Sequence, residues 1–177
     1  IEKFSFEYMD FIDRSKTERV CINEIRRTAK EQGFVDLDKL ISENTKLIPG
    51  MKIYAENNHK SAVLFVIGDE PIENGFKMVG SHVDSPRIDL KPNPLYEDSN
   101  IALFKTHYYG GIKKYQWATI PLSLYGTVYN SLGEKIDISI GDDENDPIFF
   151  INDLLIHLSS DQMQLKASEV IKGEQLN

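Results

Sequence analysis

The residues with the most chemical promise lie in the run Val79-Gly-Ser-His82-Val-Asp84-Ser-Pro86, at the end of an apolar stretch. His82 and Asp84 are two apart, so at the end of an extended strand their side chains lean the same way. An imidazole presents a lone pair to a metal when its other ring nitrogen is held by an acceptor. A carboxylate two residues on can hold it and raise the ring's basicity. The C-terminal edge of a sheet strand is also where α/β proteins usually place their sites. Spacing alone favours a plainer reading, a satisfied strand-end histidine beside a turn-forming aspartate, because His-x-Asp is common.

The other candidates are weaker. His107 has no acceptor at a supporting spacing and precedes Gly110-Gly111, so it reads as structural. His59 falls in the polar turn Asn57-Asn-His-Lys60 and reads as exposed. Cys21, the single cysteine, reads as a buried helix residue rather than a nucleophile, and excludes an intrachain disulfide or a Cys-rich zinc site. The run Asp142-Asp-Glu-Asn-Asp146 could chelate a hard cation such as calcium, but reads first as a solvated turn. The sequence has no nucleophile elbow, no phosphate-cradling Gly-Lys loop and no Cys–His pair.

The elements that must position these groups can be read from periodicity. Phe4, Tyr8, Phe11 and Ile12 recur at helical spacing. Ser15-Lys-Thr-Glu18 is a capping-box pattern, followed by a stripe of Cys21, Ile25 and Ala29 that ends at Gly33. Lys52–Glu56 and Ala62–Gly68 read as strands, with Val63–Ile67 apolar on both faces and therefore inside a covered sheet. Lys77–His82 reads as a further strand. Lys91-Pro-Asn-Pro94 reads as a stiff connector and a domain boundary. Beyond it, 102–109, 118–129 and 136–140 are strand-like, forming a β-rich unit. Asp146-Pro147 signals a helix start, with Ile148, Ile151, Leu155 and Leu158 along one face. His157 would lie one step off that stripe, a boundary residue by spacing alone.

Composition narrows the class. The 177 residues, 41% hydrophobic, suffice for one core or a core plus a small second unit. A net charge of −8 argues against a nucleic-acid partner. No stretch approaches the roughly 20 apolar residues of a membrane span, and a reducing cytoplasm is the simplest setting for a chain with one cysteine. The ends, Ile1-Glu-Lys-Phe4 and Gly173-Glu-Gln-Leu-Asn177, read as cut rather than natural.

The run Gly80-Ser-His-Val-Asp-Ser-Pro-Arg-Ile-Asp-Leu-Lys-Pro-Asn-Pro94 resembles the first metal-ligand segment of the M18 aminopeptidases. The likeness continues through Lys105–Ile112, Trp117, Pro121-Leu122, Leu155-Ile-His157-Leu158, Gln162–Ala167 and Gly173–Asn177, so it spans most of the chain from residue 50 onward. The resemblance implies an α/β fold: residues 1–93 as the N-terminal part of an α/β/α zinc-peptidase domain, and 94–177 as the start of an inserted β-rich dimerisation domain. It implies that His82 ligates one of two zinc ions, that Asp84 orients His82, and that His157 reaches the active site of a neighbouring subunit. There it would contact substrate and stabilise the tetrahedral intermediate. The reaction implied is removal of the N-terminal residue from peptide substrates by a homo-oligomer. A two-zinc site also needs a bridging carboxylate, further ligands and a general base, and nothing between Ser85 and Asn177 reads as such a cluster. The isolated chain is therefore expected to be inactive. The rival reading is a truncated, non-catalytic assembly or regulatory module.

Overall fold

The computed structural model describes all 177 residues, Ile1–Asn177, which group into two compact units, Ile1–Ser85 and Pro86–Asn177.

The first unit opens with two helices, α1 (Glu2–Asp13) and α2 (Glu18–Glu31). Helix α1 buries no residue. Helix α2 is capped by Thr17, whose hydroxyl accepts from the Val20 amide at 3.4 Å. The expected cap, Ser15, is instead buried and does not cap the helix. Gly33 ends the helix in the left-handed region, φ +81°, as a C-terminal glycine should. Helix α2 buries Cys21, Ile22, Glu24 and Ala29. Arg27 Nη2 lies 2.6 Å from Glu24 and holds that carboxyl below its ordinary range.

Three strands come next, in the order β1 (Val35–Asp36), β2 (Lys52–Asn57) and β3 (Ser61–Val66), with α3 (Leu37–Ser42) between β1 and β2. β1 pairs parallel to β2, and β2–β3 is an antiparallel hairpin. Asn58 and His59 take positive φ at its turn, a conformation asparagine tolerates better than most residues. Arg19 Nη1 donates to the Asn58 carbonyl and Arg26 Nη1 to Glu56 Oε2, each at 3.1 Å, tying α2 to the hairpin. Ile22, Leu40, Ile53 and Tyr54 are buried here.

Two further expectations fail in this unit. Val63, Leu64, Phe65 and Val66 are 42–63% exposed rather than covered, because β3 is the sheet's edge and pairs only with β2. Lys77–His82 forms no strand: its apolar residues are exposed, and no ladder in the unit satisfies its backbone.

The second unit contains two hairpins. β4 (Arg87–Asp98) pairs with β5 (Ile101–Tyr109) from Arg87↔Tyr109 to Asp98↔Ile101. The register shifts between Leu90 and Leu95. Lys91-Pro-Asn-Pro94, expected as a connector, occupies that irregularity inside β4, where a residue without an amide proton is tolerated. The compact units accordingly divide at Ser85/Pro86 instead of at residue 93. β6 (Leu124–Tyr129) and β7 (Lys135–Ile140) make the second hairpin.

The helix expected after Asp146-Pro147 does not form. Leu122 bridges Phe149 and Ala118 bridges Ile151, holding the segment extended, as its β-branched Ile148 and Ile151 favour. Asp146 does not cap: its carboxylate accepts from the Gly141 amide at 2.9 Å. Beyond it the chain makes only short 3-10 turns, at Ile156–Leu158, Gln162–Gln164 and Gly173–Gln175.

The C-terminal tail closes the core of this unit. Ile171 and Leu176 are buried with Ala118 and Ile151. The Asn177 side-chain carbonyl accepts from the Thr106 amide at 3.2 Å, and the Thr106 hydroxyl donates to the Leu176 carbonyl. Leu176 is fully buried, so Leu176→Ala is expected to destabilise this unit by about 2–5 kcal/mol, the usual range for a buried leucine. Denaturant unfolding of the chain checks this. A loss well below that range would mean the tail is not packed as described.

Candidate functional site

His82 lies in the exposed segment that precedes the second unit, with its side chain 83% exposed. Its Nδ1 is 3.0 Å from Asp84 Oδ1 and 3.0 Å from the Asp84 carbonyl oxygen. In this geometry Nδ1 carries the proton and donates to Asp84, which leaves Nε2 as a lone-pair donor facing out. The local cause is the two-residue spacing ahead of Ser85-Pro86: the residue before a proline is confined to extended conformations, so the chain continues without folding back.

The remaining candidates are placed by other elements. His157 is exposed in the 3-10 turn of the other unit. His107 faces solvent from β5 opposite Asp89, its ring stacked on Tyr108 at 5.4 Å between centroids. His59 is exposed in its turn, 3.2 Å from Glu56 Oε2. Cys21 is buried, and burial pushes its thiol up, with the nearby Ser15 hydroxyl offsetting part of the effect. That is an inert thiol rather than a nucleophile.

The acidic turn is tied by the protein itself. Asp142 accepts from the Ser123 hydroxyl at 2.9 Å, the Ser139 hydroxyl at 3.4 Å and the Tyr125 phenol. Gly141, at φ +106°, takes a backbone conformation that side chains rarely adopt, and an added Cβ would make a tight 3.1 Å contact with Ser123 Cα. No group of three or more His, Cys, Asp or Glu side chains in the chain is placed to hold a metal ion. His82, with Nδ1 committed to Asp84, fits as one zinc ligand, and a metal there would draw its other ligands from outside these residues.

Sequence reasoning did not foresee the contacts of Arg87. Its Nε donates to Asp89 Oδ1 at 2.7 Å, and its guanidinium lies 4.1 Å from the centroid of the Tyr109 ring. The one available signal was its place directly after Pro86, at the start of β4.

Comparison with known proteins assigns the class. The profile of the aminopeptidase I zinc metalloproteases (M18) matches residues 11–176. A probable M18 family aminopeptidase 1 of Clostridium acetobutylicum is 47% identical over 170 residues, which is 96% of this chain and 37% of that protein. A protein of the same description from Thermotoga maritima is 48% identical over 176 residues, covering 99% of this chain and 38% of the relative. Among solved structures, an M18 aminopeptidase of Thermotoga maritima superposes with a TM-score of 0.89 at 47% identity, covering 99% of this chain and 37% of that one. Aminopeptidase I of Clostridium acetobutylicum gives a TM-score of 0.83 at 43% identity, over 95% of this chain and 37% of that one. The chain belongs to the M18 family of zinc metalloproteases. It spans 37–38% of the length of these relatives. No helix is long and apolar enough to cross a membrane.

Proposed function

We propose that this chain forms part of a zinc-dependent aminopeptidase that removes the N-terminal residue of peptides. The observation that carries the reading is the His82–Asp84 pair, with Nδ1 committed to the carboxylate at 3.0 Å, in a chain of the M18 family. His82 is one protein ligand of a two-zinc site, and Asp84 fixes its tautomer and orientation. Bound zinc polarises the scissile carbonyl and lowers the pKa of the attacking water. The unit Ile1–Ser85 belongs to the catalytic domain, and Pro86–Asn177 begins an inserted β-rich domain used for subunit contacts. His157 donates a hydrogen bond to the substrate held by a neighbouring subunit of a homo-oligomer. A cytoplasmic setting suits the single buried thiol.

The absence of any three-ligand group within the chain keeps a second reading in play, a non-catalytic assembly or regulatory module. The two separate in one experiment. The purified 177-residue chain is expected to release no N-terminal residue from a panel of acidic- and apolar-ended peptides. A polypeptide of the relatives' length carrying this sequence is expected to do so, to stop on chelation and to recover with zinc. Failure of the longer polypeptide across the panel, with zinc supplied, favours the module. Activity of the short chain that survives His82→Ala would sink the proposed site.

A further inference from the structure

We infer that Gln162 is a positioning residue for His157, a clasp at the base of the turn that carries it. The inference rests on the reading of His157 as the group that reaches substrate held by a neighbouring subunit. All the contacts concerned lie within the unit Pro86–Asn177. Two buried residues bracket the turn. Ile151, bridged to Ala118, precedes it, and Ser159, 3% exposed, closes it. Residues 152–158 between them are exposed, His157 included.

The turn is fixed internally. The Leu158 amide donates to the Leu155 carbonyl at 2.8 Å. The Ser159 hydroxyl and amide both donate to the Ile156 carbonyl, at 3.2 Å and 3.4 Å. That carbonyl belongs to the planar peptide unit joining Ile156 to His157, so holding its oxygen orients the entry to His157. What remains open is how the turn as a whole is attached on its N-terminal side.

Gln162 makes that attachment. Its Nε2 donates to Asp153 Oδ1 at 2.8 Å and to the Val170 carbonyl at 3.2 Å. Both partners are acceptors, and an amide nitrogen carries two hydrogens, so one group serves both. The same Asp153 oxygen accepts from the Leu154 amide at 2.8 Å. Val170 packs against the buried core of the unit. Gln162 thus joins the two ends of the loop to each other and to core-packed backbone. A carboxylate acceptor makes the stronger kind of hydrogen bond. Closing the loop at its base removes conformations that an exposed run otherwise samples.

The test uses the full-length enzyme with Gln162→Leu, Asp153→Ala, Asp153→Asn, His157→Ala and the double variant Gln162→Leu/His157→Ala. For each, kcat and KM are taken separately, with zinc content and the thermal unfolding midpoint. Misplacing a reacting group by about 1 Å can cost on the order of a hundredfold, and loosening its support is expected to lower kcat of Gln162→Leu by roughly tenfold. KM, zinc content and the midpoint should stay near wild type. Asp153→Ala should match Gln162→Leu, whereas Asp153→Asn keeps an acceptor oxygen and should stay close to wild type. The double variant should be no slower than His157→Ala alone, because the clasp acts only through His157. Wild-type kcat in Gln162→Leu, beside a slow His157→Ala enzyme, overturns the clasp and leaves the reading of His157 intact. A further tenfold loss in the double variant also overturns it, as does unfolding of both Gln162→Leu and Asp153→Ala, because Gln162 is then an ordinary structural residue. A His157→Ala enzyme at full rate overturns the reading of His157, and the clasp with it.

Discussion

Replacing His82 with Ala in the full-length enzyme is expected to abolish most of the aminopeptidase activity and to empty or weaken one zinc position. The substitution deletes the only donor this segment offers in a suitable state, an imidazole whose Nδ1 is committed to Asp84. No neighbouring group of carboxylates, thiols or imidazoles in the chain stands ready to replace it. Asp84→Asn is the more discriminating change. It keeps the shape and loses the carboxylate charge, and residues in this role typically contribute 10- to 100-fold in affinity or rate. The Asp84 main-chain carbonyl also lies 3.0 Å from Nδ1. An Asn variant keeps that carbonyl and an amide oxygen that can accept from the ring, and loses only the charge, which places its expected loss near tenfold. Zinc content by elemental analysis and kcat measured side by side decide the matter. Full zinc and full rate in Asp84→Asn would remove the orienting role while leaving His82 as a ligand.

Where signals were local, the sequence was readable. The helices α1 and α2, the Gly33 terminator, the β2–β3 hairpin and its polar turn, and the strands β5 and β7 form close to where periodicity and turn residues put them, while of the run 118–129 only Leu124–Tyr129 becomes a strand. The failures share a cause. Asp146-Pro147 is a sound helix start on local grounds, yet bridges from Leu122 and Ala118 claim the residues after it for extended structure. Pro92 and Pro94 look like a break in the chain, yet a strand irregularity absorbs both. Apolar runs at Val63–Val66 and Lys77–His82 carry the composition of buried strands, but nothing in this unit covers the first or pairs with the second. Tertiary partners decide each case, and periodicity does not contain them.

The site divides along the same line. The contact between His82 and Asp84 is nearly guaranteed by a two-residue spacing before a proline, so it was legible. The Arg87–Tyr109 contact was not, because Tyr109 arrives through strand register from far along the chain. The role given to His157 came from family resemblance and has no local signature.

His157→Ala in the full-length enzyme is expected to lower kcat by about a hundredfold or more, leaving zinc content and oligomeric state unchanged. The magnitude is that of removing one hydrogen-bond donor to a developing oxyanion, on the order of 3 kcal/mol. The helix first expected to carry His157 is absent, and the surroundings supply a different argument. Leu154, Leu155, Ile156 and Leu158 are 54–69% exposed around it. Four large apolar side chains left in water in one short run are the mark of a surface covered by something else. Covering apolar area, at about 25 cal/mol per Å², rewards association at that surface. Under the proposed reading, the covering surface is a neighbouring subunit and His157 is the polar group that surface carries to it. The decisive experiment mixes two dead variants, His82→Ala and His157→Ala, under conditions of subunit exchange. Mixed assemblies should regain part of the wild-type rate, because a subunit with an intact His82 receives His157 from its neighbour. If labelled subunits are seen to exchange and no activity returns, His157 works within its own subunit or has no part in the reaction.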